Sequence, residues 1–493
     1  MSRFLVLGVL VSGLMLVPVA MATNGMNLEG YGPVAGAMGG ASLAFDNGTA
    51  ATMNNPATLA LAPDGLLVNL ALGQLGPDVT AVVVTPQGEM RAESSAGAFY
   101  MPAIGVVKKK GRFAYGLGLF GQGGMGTEYA NDSWLSDPSQ GANMALTEGL
   151  VNRSEVSIGR AIAPITYDVN ERFRIGGSLD FVWAGMDLQM AMSEAQFQDL
   201  TNPMSQVSGT ASGSLVEAFG GLYEPFGTGI STLHHAYFDF SNDGDFTGEA
   251  MGYGFAAKLG MVYDVMPSLT VGAVYQSKTS LGDLETDNAQ LSMGVNINPS
   301  VLNPQAPNEY TDMVLAVDGK ITVKDFQWPA LYGLGLAFHP NDDLLLALDV
   351  RYMAWSDVMD KFKMSFEADQ SLTNGPFANL ELDAVLFQEW DDQTVISVGG
   401  AYEAMDGLTL RAGYNKAANP VPDKFLNALF PAITEDHLTF GGGYKINEAS
   451  SVDVSVMAVL ENDGTNPGNG STVPPVRSEH NQLNWMLMYS HRF

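Results

Sequence analysis

The sequence predicts an all-β fold: a 14-stranded antiparallel transmembrane β-barrel whose lumen holds an N-terminal plug. Three observations carry the prediction. From residue 65 to the end, strand-length runs alternate with connections that are short and long in turn. Outer-membrane barrels show this pattern, with tight periplasmic turns and long extracellular loops. The last strand alternates to its end, with Leu483, Trp485, Leu487, Tyr489, His491 and Phe493 on one face, as a wall with lipid on one side requires. Residues 23–63 are rich in Gly and Ala and carry no cationic side chain, so their backbone can lie close against other backbone.

The N-terminus comes first in order. Arg3 precedes an apolar run from Phe4 to Val19, and Ala20-Met21-Ala22 supplies the small residues of a cleavage site. Residues 1–22 are therefore expected to be a secretory signal peptide, with Thr23 as the mature N-terminus. The run is short for a membrane helix of about 20 residues, and nothing after it is as long. The chain has no cysteine, which excludes a disulfide framework and Cys-ligated metal. Its 23 basic and 53 acidic residues leave a net charge of −30, the opposite of a nucleic-acid footprint.

Within the plug, residues 23–64, Gly36, Gly39, Gly40 and Gly48 alternate with small residues, and Pro56 forces a turn at Asn55. The barrel, residues 65–493, has no linker dividing it. Its strands are expected near 65–76, 97–109, 112–122, 152–169, 172–190, 249–265, 268–281, 315–339, 344–366, 384–404, 408–417, 436–446, 451–462 and 480–493. Leu344, Leu346, Leu348, Val350 and Tyr352 share one face, with Asp349 and Arg351 opposite; Val452, Val454 and Val456 oppose Asp453 and Ser455. The same alternation fits a soluble sandwich. The connections decide, because Lys110-Gly111, Asn170-Glu171, Met266-Pro267 and Met405-Asp406-Gly407 are tight whereas 191–248 and 282–314 are long.

Several motifs resemble one family. Gly32–Gly40 (GPVAGAMGG), Ala44-Phe45-Asp46 and Asn55-Pro56-Ala57 are similar to the hatch of FadL-type transporters. Trp328-Pro329-Ala330-Leu331-Tyr332-Gly333-Leu334-Gly335, Pro340-Asn341-Asp342 and Trp355-Ser356-Asp357 resemble that family's middle strands. Arg411-Ala412-Gly413-Tyr414 with Asn419-Pro420-Val421-Pro422 resembles a later hairpin and loop. The resemblance spans nearly the whole mature chain. It implies an outer-membrane protein of a Gram-negative bacterium that passes long-chain fatty acids or other hydrophobic molecules, aromatic and alkane hydrocarbons being the alternative cargo. It also implies a hatch carrying Asn55, Pro56 and Ala57, no cofactor, and a monomer among outer-membrane lipid and lipopolysaccharide, assembled by the barrel-assembly machinery. A general porin is the further alternative.

Candidate site residues follow. The third strand ends in Gly121-Gln122-Gly123-Gly124-Met125-Gly126, a composition that marks a bulge or bend; the resemblance implies an inward kink at Gly123 and Gly124 that opens the wall sideways. In the loop 191–248, Leu215, Phe219, Leu222, Tyr223 and Phe226 fall at helical spacing and make one apolar face, either a lid core or a docking groove for the hydrophobic ligand. Asp239, Ser241, Asp243, Asp245 and Glu249 approach a calcium loop but depart from its spacing, so a solvated acidic turn fits them better and no metal is expected. His234-His235 lacks zinc spacing. A carboxylate-bearing ligand would favour a lumen cation, for which Arg351 and Arg411 are candidates, with Lys258, Lys278 and Lys320 behind them. No nucleophile elbow, HExxH or phosphate loop is present, so no enzyme is expected.

Overall fold

The computed structural model describes residues 24–86, 88–136, 146, 149–202, 204, 207–222, 229–242 and 248–493. The expected signal peptide and Thr23 lie outside the described residues. Described strands, in chain order, are β1 Gly65–Leu75, β2 Pro77–Thr85, β3 Gly88–Glu93, β4 Phe99–Lys110, β5 Phe113–Tyr129 and β6 Asn152–Asp168. Then come β7 Phe173–Met192, β8 Gly209–Ser212, β9 Ile230–Phe240, β10 Ala250–Met266, β11 Leu269–Gln276 and β12 Ser280–Leu281. They continue with β13 Leu284–Ile297, β14 Thr311–Lys324, β15 Leu331–Asn341, β16 Leu344–Met353, β17 Lys361–Ala368 and β18 Glu381–Phe387. The last are β19 Gln393–Met405, β20 Leu408–Ala417, β21 Asp436–Asn447, β22 Ser450–Asn466 and β23 Val476–Arg492.

Antiparallel pairing closes these strands into a barrel. One circuit runs β1, β4, β5, β6, β7, β10, β11, β15, β16, β19, β20, β21, β22, β23 and back to β1. β7 also pairs with β9, β9 with β13, and β13 with β10. Beside this direct circuit of 14, that detour closes a longer one of 16 strands, two more than expected. The extra pair comes from the stretches read as the loops 191–248 and 282–314. Both strands carry buried residues on successive positions, so they lack the period-2 signature of a half-buried strand.

Three expected long strands are each two elements. The run 315–339 divides into β14 and β15, 344–366 into β16 and β17, and 384–404 into β18 and β19. Each break holds a buried tryptophan: Trp328, Trp355 and Trp390. Their rings pack edge to face, with centroids 5.4 Å apart for Trp328–Trp355 and 5.3 Å for Trp355–Trp390. Pro329 has no ladder donor, which helps to end the first run. In sequence these tryptophans read as strand formers; burial turns them out of the ladder.

Outward faces of the wall expose Leu117, Leu179, Phe255, Leu334 and Leu487, an apolar exterior suited to lipid. Tyr275, Tyr332 and Tyr352 stand side by side on that face at 5.1 and 6.3 Å. Among the described residues no helix is long and apolar enough to cross a membrane.

The N-terminal segment, from Asn24 to Asp64, is enclosed by the ring. It forms only short turns, Gly32–Gly36, Gly48–Ala50, Ala51–Asn54 and Pro56–Leu61, and nearly all of it is buried. Its polar backbone is satisfied by wall strands on every side. Asn69 of β1 accepts from Thr49 N at 2.8 Å, Thr166 of β6 donates to the Pro56 carbonyl at 2.7 Å, and Lys258 of β10 donates to the Met53 carbonyl at 2.7 Å. On the opposite side, Asn415 of β20 donates to the Gly39 carbonyl at 3.1 Å and Thr439 of β21 accepts from Gly39 N at 2.8 Å. Asn55 donates to the Leu43 carbonyl at 2.7 Å and accepts from Ala57 N at 3.1 Å, so it ties the turn at Pro56 to the rest of the segment. A Cβ at wall Gly272 or Gly413 would collide with segment backbone at Leu43 or Gly39.

Candidate functional site

Among the described residues the wall separates locally between β4 and β5. β4 and β5 pair from Lys110↔Phe113 to Ile104↔Leu119 and no further. Beyond that rung β4 continues along β1 to Phe99, while β5 follows β6 to Tyr129. The β5–β6 register slips between Gly121 and Gly123, leaving Gln122 as the extra residue of a bulge. The expected end of this strand near residue 122 is therefore corrected: β5 runs on for seven residues, because β6 supplies a partner throughout. The freed edge of β5 is taken up by the N-terminal segment. Gly123 bridges Asn27, and Gly124 N donates to the Met26 carbonyl at 3.1 Å. A Cβ on Gly123 would strike that carbonyl, which is why glycine is required at this approach. A small cavity lies against the separation, lined by Leu28, Ala50, Met101, Ala103, Phe120 and Met488 among others.

Next to the segment lies an apolar pocket. Five methionines line it, Met26, Met125, Met186, Met190 and Met359, with Phe326, Phe362, Trp390 and Phe430. Its polar lining residues are Gln388 and Asn427, and among the described residues no charged side chain lines it. Met26 belongs to the N-terminal segment and Met125 to β5, so the floor of this cavity touches both elements of the wall separation. A second apolar cavity lies under the loops between Phe197, Phe219, Phe238, Leu291, Met364 and Leu382. Met190 and Leu386 line both cavities.

The expected loop helix is shorter than its sequence pattern, covering Ser214–Gly220. Leu215 is fully buried behind it, and Phe219 packs on Phe377 at 4.8 Å while lining the upper cavity. Leu222 packs against the core and its carbonyl accepts from Ile230 N at 2.6 Å; Tyr223 and Phe226 lie outside the described residues.

The lumen cations are engaged. Arg351 is buried and donates to the Glu29 carbonyl at 3.0 Å, the Gly40 carbonyl at 2.7 Å and Ser42 Oγ at 2.8 Å, with Asp349 at 3.0 Å. Asp349 in turn accepts from Ser42 N at 2.7 Å. Arg411 pairs with Asp453 at 2.8 Å, and Lys320 with Glu285 at 2.9 Å. Lys278 is exposed. None of these lines either apolar cavity.

Asp239 and Glu249, at the described ends of the acidic loop, have separate partners. Asp239 accepts from Gln189 at 3.2 Å, and Glu249 accepts from Thr286 and Asn288, each at 2.8 Å. Ser241 follows β9, and Asp243 and Asp245 lie outside the described residues. Among the described residues no group of acidic or histidine side chains is arranged to hold a metal. His234 meets Asp312 at 3.2 Å.

Two features went unread in the sequence. The tryptophan cluster beneath the lower cavity could have been suspected from three Trp residues at loop-like punctuation. The buried pair Arg160–Asp180, 2.8 Å apart, sits on strands whose register no local pattern reveals.

A closed antiparallel barrel with an apolar exterior, a filled lumen and stacked apolar cavities defines a channel protein for hydrophobic molecules. The model of the outer membrane protein transport protein family (OMPP1/FadL/TodX) matches residues 17–481, and the chain belongs to that family. It is thus an outer-membrane protein of the Gram-negative envelope, and the solved relatives are transporters and channels. The crystal structure of the P. putida toluene transporter TodX is 30% identical, with a TM-score of 0.76, over 95% of this chain and 99% of that one. The Ralstonia pickettii toluene transporter TbuX is 28% identical, with a TM-score of 0.72, over 95% and 99%. A Pseudomonas aeruginosa FadL homologue, at 15% identity, has the same fold, with a TM-score of 0.65 over 97% and 100%. A curated Chlorobium limicola protein, described as uncharacterized and lying in the phosphoenolpyruvate carboxykinase gene 5′ region, is 50% identical over 62 residues. That match spans 12% of this chain and 30% of the relative's length.

Proposed function

We propose that this chain carries small neutral hydrocarbons, monoaromatic ones foremost, passively across the outer membrane. The observation that carries the reading is the lower cavity, apolar apart from Gln388 and Asn427, with no ionisable group among the described residues that line it. A carboxylate there would lose its hydration with no cation to replace it, whereas thioether sulfurs and aromatic rings suit an aromatic solute. The toluene transporters among the relatives support the same cargo. Ligand enters under the loops, where Phe219 lines the upper cavity, and passes Met190 into the lower cavity. The N-terminal segment acts as a hatch organised by Asn55, Pro56 and Ala57. Its rearrangement lets the solute reach the separation beside Gly123 and Gly124 and leave sideways into lipid, a course that avoids water throughout.

A long-chain fatty acid is the second reading, favoured by the two cavities in line, which together would suit an extended chain. Arg351 and Arg411 would then be needed for its carboxylate, and their present partners stand against that role. The chain works as a monomer, without cofactor or catalysis, amid outer-membrane lipid and lipopolysaccharide, and the barrel-assembly machinery reads its C-terminal strand. Uptake of labelled toluene and labelled oleate by cells with and without the protein tests the reading. Toluene uptake should depend on the protein and oleate uptake should not; the reverse result establishes the fatty-acid reading instead.

A further inference from the structure

The bulge residue of β5 is restrained from two sides. Gln122 is the unmatched residue between Gly121↔Gly159 and Gly123↔Ile158, and it is 1% exposed. Its side-chain carbonyl accepts from Arg160 Nε. Arg160 is itself fully buried and fixed by Asp180 at 2.8 Å, which Ser178 Oγ holds at 2.6 Å. The backbone carbonyl of Gln122 accepts from the Tyr31 hydroxyl at 2.6 Å. Tyr31 belongs to the N-terminal segment, where its N–H and C=O are both engaged by Asn54 at 3.0 and 2.9 Å. One residue is therefore gripped twice, from the wall through its side chain and from the segment through its backbone.

We infer that Gln122 is the latch of the side opening: Arg160 keeps the extra residue inside the barrel, and Tyr31 makes its position depend on whether the segment is seated. A bulge survives because two residues oppose one. With Gln122 held inward, β5 stays out of register with β4 beyond Leu119 and the separation persists. Release of the Tyr31 bond leaves only the wall grip, so segment movement and wall geometry are coupled through a single residue. Arg160 and Tyr31 are positioning residues, acting on the opening through Gln122. The inference rests on the side-exit reading.

The test uses the full-length protein in cells and purified, with toluene as the probe. Deletion of Gln122 removes the two-against-one mismatch and should abolish uptake, while heat-modifiable migration and equilibrium toluene binding remain. Gln122→Met keeps the chain length but loses the acceptor. It should lower uptake roughly tenfold, the population shift expected when one charge-assisted hydrogen bond is lost. Gln122→Glu restores an acceptor to Arg160 and should recover uptake, which a purely structural role would not predict. Ala103→Trp, which fills the cavity at the separation, tests the exit itself. Wild-type uptake by Gln122→Met, with Ala103→Trp blocked, overturns the latch and leaves the side exit standing. Wild-type uptake by Ala103→Trp overturns the side exit and the latch with it. Should the deletion fail to assemble, the Met and Glu variants decide the matter alone.

Discussion

Replacing Arg351 with Met is the most direct perturbation of the seal. The guanidinium donates to three acceptors on the N-terminal segment, at Glu29, Gly40 and Ser42, and faces Asp349. Hydrogen bonds to a charged group contribute about 1.5–3 kcal/mol each, although three from one residue are not additive. Removing one member of a buried ion pair costs about 3–5 kcal/mol, because the other charge is left uncompensated. Asp349 keeps its bonds from Ser42 N and Leu43 N, which places the expected weakening of the seated segment near the lower end, about 3 kcal/mol. That is a shift of roughly a hundredfold toward the unseated state. Two measurements read it. Planar-bilayer conductance should rise in frequency and size. Chymotrypsin should cut at Tyr31 or Phe45, the appropriate protease because the segment contains no Lys or Arg. Arg351→Lys should fall between wild type and Met, since an ammonium lacks the planar fork. An assembled, heat-modifiable Met variant with wild-type conductance and wild-type cleavage would refute the anchoring role.

Deleting residues 24–62 should leave an assembled barrel, since the wall ladders do not run through the segment, and conductance should exceed that of Arg351→Met; an equally closed channel would assign the seal to the loops. Gly413→Val places a branched side chain against Gly39 backbone and should loosen the segment by about 1–3 kcal/mol, read as increased chymotrypsin cleavage without loss of surface expression. Gly123→Val should break the bridge to Asn27 and the bond to Met26, raising amide exchange at Gly124 specifically; unchanged protection there would mean that the carbonyl of Met26 is not held by β5.

How much of this was legible depends on the physical signal each feature leaves. Strands with one face toward lipid and one toward a polar lumen alternate, so β20 and β21 could be read almost to the residue, whereas the reading of β16 ran past its end and those of β22 and β23 each fell four residues short at one end. β9 and β13 could not, because both of their faces are buried and period 2 disappears. The Trp328, Trp355 and Trp390 breaks were invisible for a related reason: an aromatic residue raises strand propensity whether or not it stays in the ladder. Glycines at 121–126 marked the place where the wall changes, yet not that Gln122 is the extra residue, which only the pairing with β6 decides. Arg351 was recognisable as an inward-facing cation. Its partners lie over 300 positions away, at Glu29, Gly40 and Ser42, and no local pattern encodes such contacts.

The direct passage of the N-terminal segment into β1 at Gly65 has a thermodynamic consequence. The segment is in effect a tethered ligand of its own barrel, present at an effective concentration on the order of millimolar. Modest intrinsic affinity is then enough to keep it seated, and a diffusing solute need only compete locally. The same wall groups that grip it, among them Lys258, Asn415 and Arg351, would bind water if it left. Their placement therefore lets one set of side chains line either a dry packed interior or a hydrated pore, and the tether's occupancy determines which of the two exists.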